Sequence, residues 1–253
     1  MTHPLVTIIT ATTGNPLLVD CLLSVKNQTY PNIQHLVVID GTDRAVGAFA
    51  QIEQSGVLKE TKEGYRIDVL ELPYAVGKDR WNGHRIYGSC SYLADGDFVI
   101  YLDDDNYLDP SHVENCIKTL IDTQSSWTYS FRNIVDKDRK FLCQDNCESL
   151  GKWASVLHEK DFFIDVNCYF LPRILAVQIS PVWFRKFREP GQMEVDRALF
   201  HVLNQIAPKF EPTYGYTVNY TVGNTENSVK AEFFEFGNVD MLKRFDGKLP
   251  WVK

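Results

Sequence analysis

The sequence predicts an α/β fold: a mainly parallel sheet with helices covering both faces. Short apolar or β-branched runs alternate with stretches of helical periodicity through roughly the first 122 residues. Strand-like runs are followed by helix-starting Asn-Pro or Asp-Pro pairs, so the connections read as helical crossovers between parallel strands. The 253-residue length and 44% apolar content supply a sizeable core, and 13% aromatics with 23% charged residues are those of a folded globular chain.

Leu5 to Thr10 is the first strand. Asn15-Pro16 then caps a helix whose Leu17, Leu18, Cys21, Leu22 and Val25 recur at helical spacing. His35 to Ile39 is a second strand of the buried type, ending at Asp40-Gly41, and Arg66 to Leu72 is a third. Trp81 to Ala94 reads as a helix with Ile86, Cys90, Leu93 and Ala94 on one face. Asp97 to Leu102 is a fully buried strand. The next helix opens at Asp109-Pro110, with Asp109 as its cap and Val113, Ile117, Leu120 and Ile121 inward. Beyond about Thr123 the pattern loosens, except for a helix from Glu194 to Ile206 with Val195, Ala198, Leu199, Val202, Leu203 and Ile206 as its stripe. No repeat or linker divides the chain, so one domain over residues 1–253 is expected.

A net charge of −7 opposes nonspecific nucleic-acid binding, and a phosphate-rich ligand near so many carboxylates calls for a metal cation. The apolar runs are far shorter than the roughly 18 to 20 residues that span a bilayer, and no signal-peptide pattern opens the chain. A cytoplasmic protein without an integral membrane segment is expected. The six cysteines read as reduced core thiols, because Cys143 and Cys147 lack C-x2-C spacing and a second ligand pair.

Ligands of such sheets bind outside the carboxyl ends of the strands. Topology therefore brings Thr10 to Thr13, Asp40 and Asp103 to Asp105 to one edge. Asp103 and Asp105, one residue apart at a strand end, present hard oxygens suited to Mg2+ or Mn2+ bridging a diphosphate. The plainer alternative is a solvated acidic turn before a helix.

The segment VTIITATTGNPLLVDCLLSVKNQTYPNIQHLVVIDGTD, with DGDFVIYLDDDNYLDP after it, resembles the family 2 glycosyltransferases of the GT-A fold over roughly the first 120 residues. The resemblance implies a Rossmann-like nucleotide-sugar-binding half, about 1–122, and a smaller acceptor-side region, about 123–253. It implies that Thr10, Ala11 and Thr12 line the nucleotide, with Asp40 near the base and Asp103 near the ribose. Asp105 would hold Mn2+ or Mg2+, with Asp103 as a second ligand and Asp104 also on the donor side. Arg80 and Asn82 in KDRWNG are similar in placement to a family segment shaping the donor pocket. The donor would be UDP-, dTDP- or GDP-linked and the acceptor a saccharide or other hydroxyl. Ile39 stands where the family often has a second aspartate, and Q-x-x-R-W of processive enzymes is absent, which implies transfer of one sugar at a time.

An inverting transferase needs an acceptor-side carboxylate as general base. The family places it beside a second-half helix, matched here by GQMEVDRALF, so Asp196 is the expected base and Glu194 the alternative. Both could instead be first-turn acids favoured by the helix dipole. Asp165 is a candidate for orienting an acceptor sugar. Trp81, Trp153, Trp183 and Tyr169 are candidates for ring stacking or for core packing, and His158 and His201 read as structural. Two other function classes fit less well. A sugar-1-phosphate nucleotidyltransferase needs a glycine-rich loop where this chain has Thr10-Ala11-Thr12-Thr13-Gly14. A binding module without catalysis would bind donor and metal with no turnover.

Overall fold

The computed structural model describes residues 3–59, 62–185, 194–224 and 228–252. The chain opens with β1 (Val6–Thr12), α1 (Leu18–Lys26), β2 (Ile33–Ile39), α2 (Thr42–Ser55), β3 (Tyr65–Glu71), α3 (His84–Cys90) and β4 (Phe98–Tyr101). It continues through β5 (Tyr107–Leu108), α4 (His112–Thr123), the hairpin β6 (Trp127–Val135) and β7 (Phe141–Gln144), then a 3-10 turn (Val166–Cys168). β8 (Tyr169–Pro172), α5 (Arg173–Trp183), α6 (Val195–Ile206), β9 (Phe210–Thr221) and α7 (Ala231–Arg244) complete it.

The strands hydrogen-bond in the order β3-β2-β1-β4-β8-β6-β9-β5, with β7 on β6. Across β3-β2-β1-β4 every pairing is parallel, with Val6 opposite both Ile33 and Phe98. This is the α/β sheet that the strand and helix alternation predicts. All seven residues of β2 are buried, as a strand covered on both faces requires. At β8 the direction reverses: Val99 pairs antiparallel with Leu171, and β6 is antiparallel to β8 but parallel to β9. The second half therefore extends the same sheet. α3 packs on α5 at Gly88, where an added Cβ would lie 2.9 Å from Trp183 Cβ, so only glycine lets these helices approach so closely.

Several sequence expectations need correction. The helix expected over Trp81 to Ala94 is regular only from His84 to Cys90, because Asp79, Arg80 and Asn82 have φ values of 58, 64 and 48° and turn the chain before it. Leu93 and Ile121, expected inward, are 54% and 70% exposed. Asp109 does not cap α4: its Oδ1 accepts from Asn219 Nδ2 at 2.7 Å, tying the turn to β9 instead. Asn15 Oδ1 accepts the Leu17 N–H at 3.0 Å in the turn ahead of α1, but the helix starts two residues later than expected, with Leu17 at its N-cap and no side-chain capping bond. All six cysteines are free thiols, and five are buried. No helix among the described residues is long and apolar enough to cross a membrane.

Candidate active site

The carboxyl ends of β1, β2 and β4 open on a cleft of about 540 Å³. Ala11, Thr12, Thr13, Asp40 and Asp103 to Asn106 line it from the sheet edge, and Arg44, Ala75, Gly77, Lys78, Asn82 and Gly83 form one wall. Tyr220, Thr221, Asn224 and Ser228, from the end of β9 and the segment after it, form the other.

Asp40 closes β2, and the chain turns sharply at Gly41, whose φ is +103°. A Cβ there would come within 2.7 Å of the Ala75 nitrogen, so glycine is required. The turn lets Asp40 Oδ1 accept the Val76 N–H at 2.6 Å and Oδ2 accept the Gly77 N–H at 2.9 Å. Asp40 thus holds the 75–77 loop against the sheet while facing the cleft.

The acidic turn after β4 is pinned residue by residue. Asp103 Oδ1 accepts the Tyr87 hydroxyl proton at 2.5 Å, and its Oδ2 accepts from Asn167 Nδ2 at 2.9 Å. The Asp103 N–H donates to Asn167 Oδ1 at 2.7 Å, so one amide side chain grips it twice. Asp104 Oδ2 accepts from Thr12 Oγ1 at 2.6 Å, which fastens the turn to the end of β1. Asp105 faces the cleft, with Oδ2 accepting from Asn224 Nδ2 at 2.5 Å. Burial raises all three carboxyls. Asp104 reaches about 6, with repulsion from Asp103 adding to burial. Asp105 reaches about 7, pushed by burial and then by Asp103 and Asp104.

Three crowded, partly desolvated carboxylates form a local charge excess that a divalent cation relieves, and carboxylate oxygens are the donors Mg2+ and Mn2+ prefer. Among the described residues no group of three or more His, Cys, Asp or Glu is placed to enclose an ion. Asp105 presents its carboxylate to the cleft, whereas both oxygens of Asp103 already accept hydrogen bonds, from Tyr87 and Asn167.

Asp196 lies in the first turn of α6 and is not among the residues that line the cleft. Burial drives its carboxyl well above the ordinary range, and the charges of Asp165, Asp103 and Glu194 push it further, against the pull of Arg197. Glu194 is different: its side chain is 77% exposed and pairs with Arg197 at 3.0 Å. Gly191 to Met193 of the same segment lie outside the described residues. Asp165 Oδ2 accepts from Arg132 Nη1 at 2.5 Å and its Oδ1 from Asn167 Nδ2 at 2.7 Å, so it connects to Asp103 through Asn167. Arg132 is buried between Asp145, Glu148 and Asp165, with its guanidinium 4.3 Å from the Tyr220 ring centroid.

Some expected residues are elsewhere. Thr10 is fully buried, with its hydroxyl 2.9 Å from His35 Nε2, and does not line the cleft: β1 runs on to Thr12, so the cleft begins at Ala11. Arg80 does not line the cleft either, whereas Lys78 and Asn82 do, because the left-handed turn redirects the segment. Trp81 lies under the Arg85 guanidinium at 3.9 Å, Trp153 packs 5.3 Å from Trp251, and Trp183 and Tyr169 are core residues. His201 is bonded to Gln205 on α6, and the His158 ring accepts the Lys160 N–H. Tyr87, Asn167 and Asn224, the partners that aim the carboxylates, carried no spacing signal in the sequence.

Among curated proteins none matches the sequence. Among solved structures, S. aureus TarS residues 1–349 in complex with UDP aligns at a TM-score of 0.59 with 13% identity, covering 96% of this chain and 72% of that one. The same fragment in complex with UDP-GlcNAc aligns at 0.60 with 15% identity, covering 94% and 66%. Full TarS aligns at 0.59 with 12% identity, and this chain spans 44% of its length. At such identities the likeness establishes the fold. A family model described as Glycosyl transferase family 2 matches residues 6–167, well over half of the sequence. Since that match runs from the first strand through the acidic edge as far as Asn167, the chain belongs to glycosyl transferase family 2.

Proposed function

We propose that this chain moves a sugar from a nucleoside diphosphate donor to a hydroxyl acceptor, one sugar at a time and with inversion. The observation that carries the reading is the meeting of Thr12, Asp40 and Asp103 to Asp105 on one cleft at the strand ends. Its volume, about 540 Å³, suits a nucleotide sugar. TarS, the fold neighbour, is described with UDP and with UDP-GlcNAc, which supports a uridine donor ahead of dTDP- or GDP-linked ones.

In this reading Asp40 and the loop it holds receive the base, and Asp103, fixed by Tyr87 and Asn167, lies toward the ribose. Asp105 and Asp103 hold Mn2+ or Mg2+. When bound, that ion supplies Lewis-acid stabilisation of charge on the departing diphosphate. Asp196 removes the acceptor hydroxyl proton as that oxygen attacks the anomeric carbon from the face opposite the diphosphate. Its raised affinity for a proton suits a general base. Glu194, exposed and paired with Arg197, is the weaker candidate.

The halves act as one unit, since Tyr220, Thr221 and Asn224 of the second complete the donor cleft of the first. The test is a turnover assay over nucleotide sugars and saccharide acceptors, with Mn2+ and with EDTA. Asp196→Asn is expected to keep donor binding and lose transfer. Undiminished transfer by that variant removes Asp196 from the mechanism, and full turnover in EDTA removes the ion.

A further inference from the structure

Arg139 stands at the tip of the β6–β7 hairpin, with a φ of 66°. A tight turn presents it: Asp136 Oδ1 accepts the N–H groups of Asp138 and Lys140, both at 2.9 Å. From there its guanidinium reaches three separate pieces of the donor half and its border. Nε donates to Asp20 Oδ2 at 2.8 Å and Nη2 to the Leu17 carbonyl at 3.2 Å, both at the start of α1. Nη1 donates to the Asp105 carbonyl at 3.1 Å and to Thr221 Oγ1 at 3.1 Å. Thr221 Oγ1 itself donates to that same Asp105 carbonyl at 2.5 Å. The guanidinium also lies 4.6 Å from the Tyr107 ring centroid, and the side chain is only 19% exposed.

We infer that Arg139 is a positioning residue for Asp105. Fixing the Asp105 carbonyl from two donors fixes its peptide plane, and with it the direction in which its carboxylate leaves the backbone. Arg139 joins that peptide to α1, to β9 and to the hairpin, so the second half of the chain sets the aim of a donor-site carboxylate. Lysine can offer a charge to one or two of these partners but lacks the planar fork that meets all of them. The inference rests on the donor-site reading for its purpose, because small errors of aim are penalised where a carboxylate must meet an ion and a diphosphate together.

Two measurements on the intact chain test it. Hydrogen exchange of the metal-free protein is followed over residues 103–108 and 33–39 in wild type, Arg139→Ala, Arg139→Lys and Asp20→Asn. Mn2+ binding in the presence of UDP is read from the free-ion electron paramagnetic resonance signal. Arg139→Ala is expected to speed exchange over 103–108 while leaving 33–39 unchanged. It is expected to raise the half-saturating Mn2+ concentration roughly tenfold or more, the range for an outer-shell partner. Arg139→Lys falls between wild type and alanine, and Asp20→Asn, which removes only the charge opposite Nε and keeps an accepting oxygen, gives a smaller change of the same kind. Unchanged exchange over 103–108, or acceleration spread evenly over the chain, overturns the inference. If wild type binds no Mn2+ with UDP, the donor-site reading fails, and the exchange data still decide the positioning.

Discussion

Replacing Asp105 by asparagine removes one charge from the three-carboxylate turn while keeping the size of the side chain and an oxygen to accept the Asn224 amide proton. Asp105 is displaced from 3.8 to about 7 by burial and by Asp103 and Asp104. A carboxyl whose affinity for protons rises on folding favours the fold at low pH, and that advantage is lost as pH climbs through the folded value. Wild type therefore carries no penalty from this group below the ordinary carboxylate range and its full penalty above about pH 7. At ~1.4 kcal/mol per unit the displacement corresponds to about 4 kcal/mol, and residual solvent contact and sharing with the neighbouring acids reduce the expected gain to about 2 kcal/mol. Urea unfolding in EDTA measures it. Asp105→Asn should be more stable than wild type by about that amount near pH 8 and indistinguishable from it near about pH 4. Added Mn2+ should stabilise wild type and leave the variant unmoved, because a ligand raises stability only where it binds. A variant no more stable than wild type at pH 8, or equally stabilised at both pH values, refutes the electrostatic reasoning.

Two further outcomes follow from the buried polar network. Arg132→Met leaves Asp145, Glu148 and Asp165 without their shared cation, so a loss of about 3 to 5 kcal/mol is expected in urea unfolding. A loss below about 1 kcal/mol would mean that the three acids are neutralised some other way. Asp165→Asn removes the charge that, after burial, contributes most to the raised Asp196 carboxyl. The acid limb of the kcat/KM pH profile should move to lower pH, and an unmoved limb would contradict Asp196 as the titrating base.

The first half of the chain was legible because β1, β2 and β4 are almost wholly buried runs whose ends carry the polar residues. Once those runs are parallel, Asp40 and Asp103 to Asp105 must share an edge. What escaped notice has physical causes. α2 buries Ala45, Ala48 and Ile52, and two alanines in that stripe leave little apolar contrast to read. β6 buries Thr128, Ser130 and Arg132 as fully as its aromatics, so no solvent-facing register betrays it as a strand. The turn at Asp79 to Asn82 uses left-handed backbone at residues other than glycine, and the sequence there reads as helix. Thr10 was expected at the strand end, but β1 extends to Thr12, so Thr10 lies inside the strand and Ala11, Thr12 and Thr13 form the mouth of the cleft. Asn167, Asn224 and Arg139 act across long separations through amide or guanidinium hydrogen bonds, and periodicity has no means of marking such residues.

If Asp105 and Asp103 secure a divalent ion against the diphosphate of the donor, UDP binding depends on that ion. Calorimetric titration of UDP into the protein tests it most directly, run in Mn2+, in EDTA, and with Asp105→Asn in Mn2+. Binding in Mn2+ is expected to disappear in EDTA and in the variant. Equal UDP affinity under all three conditions would contradict it.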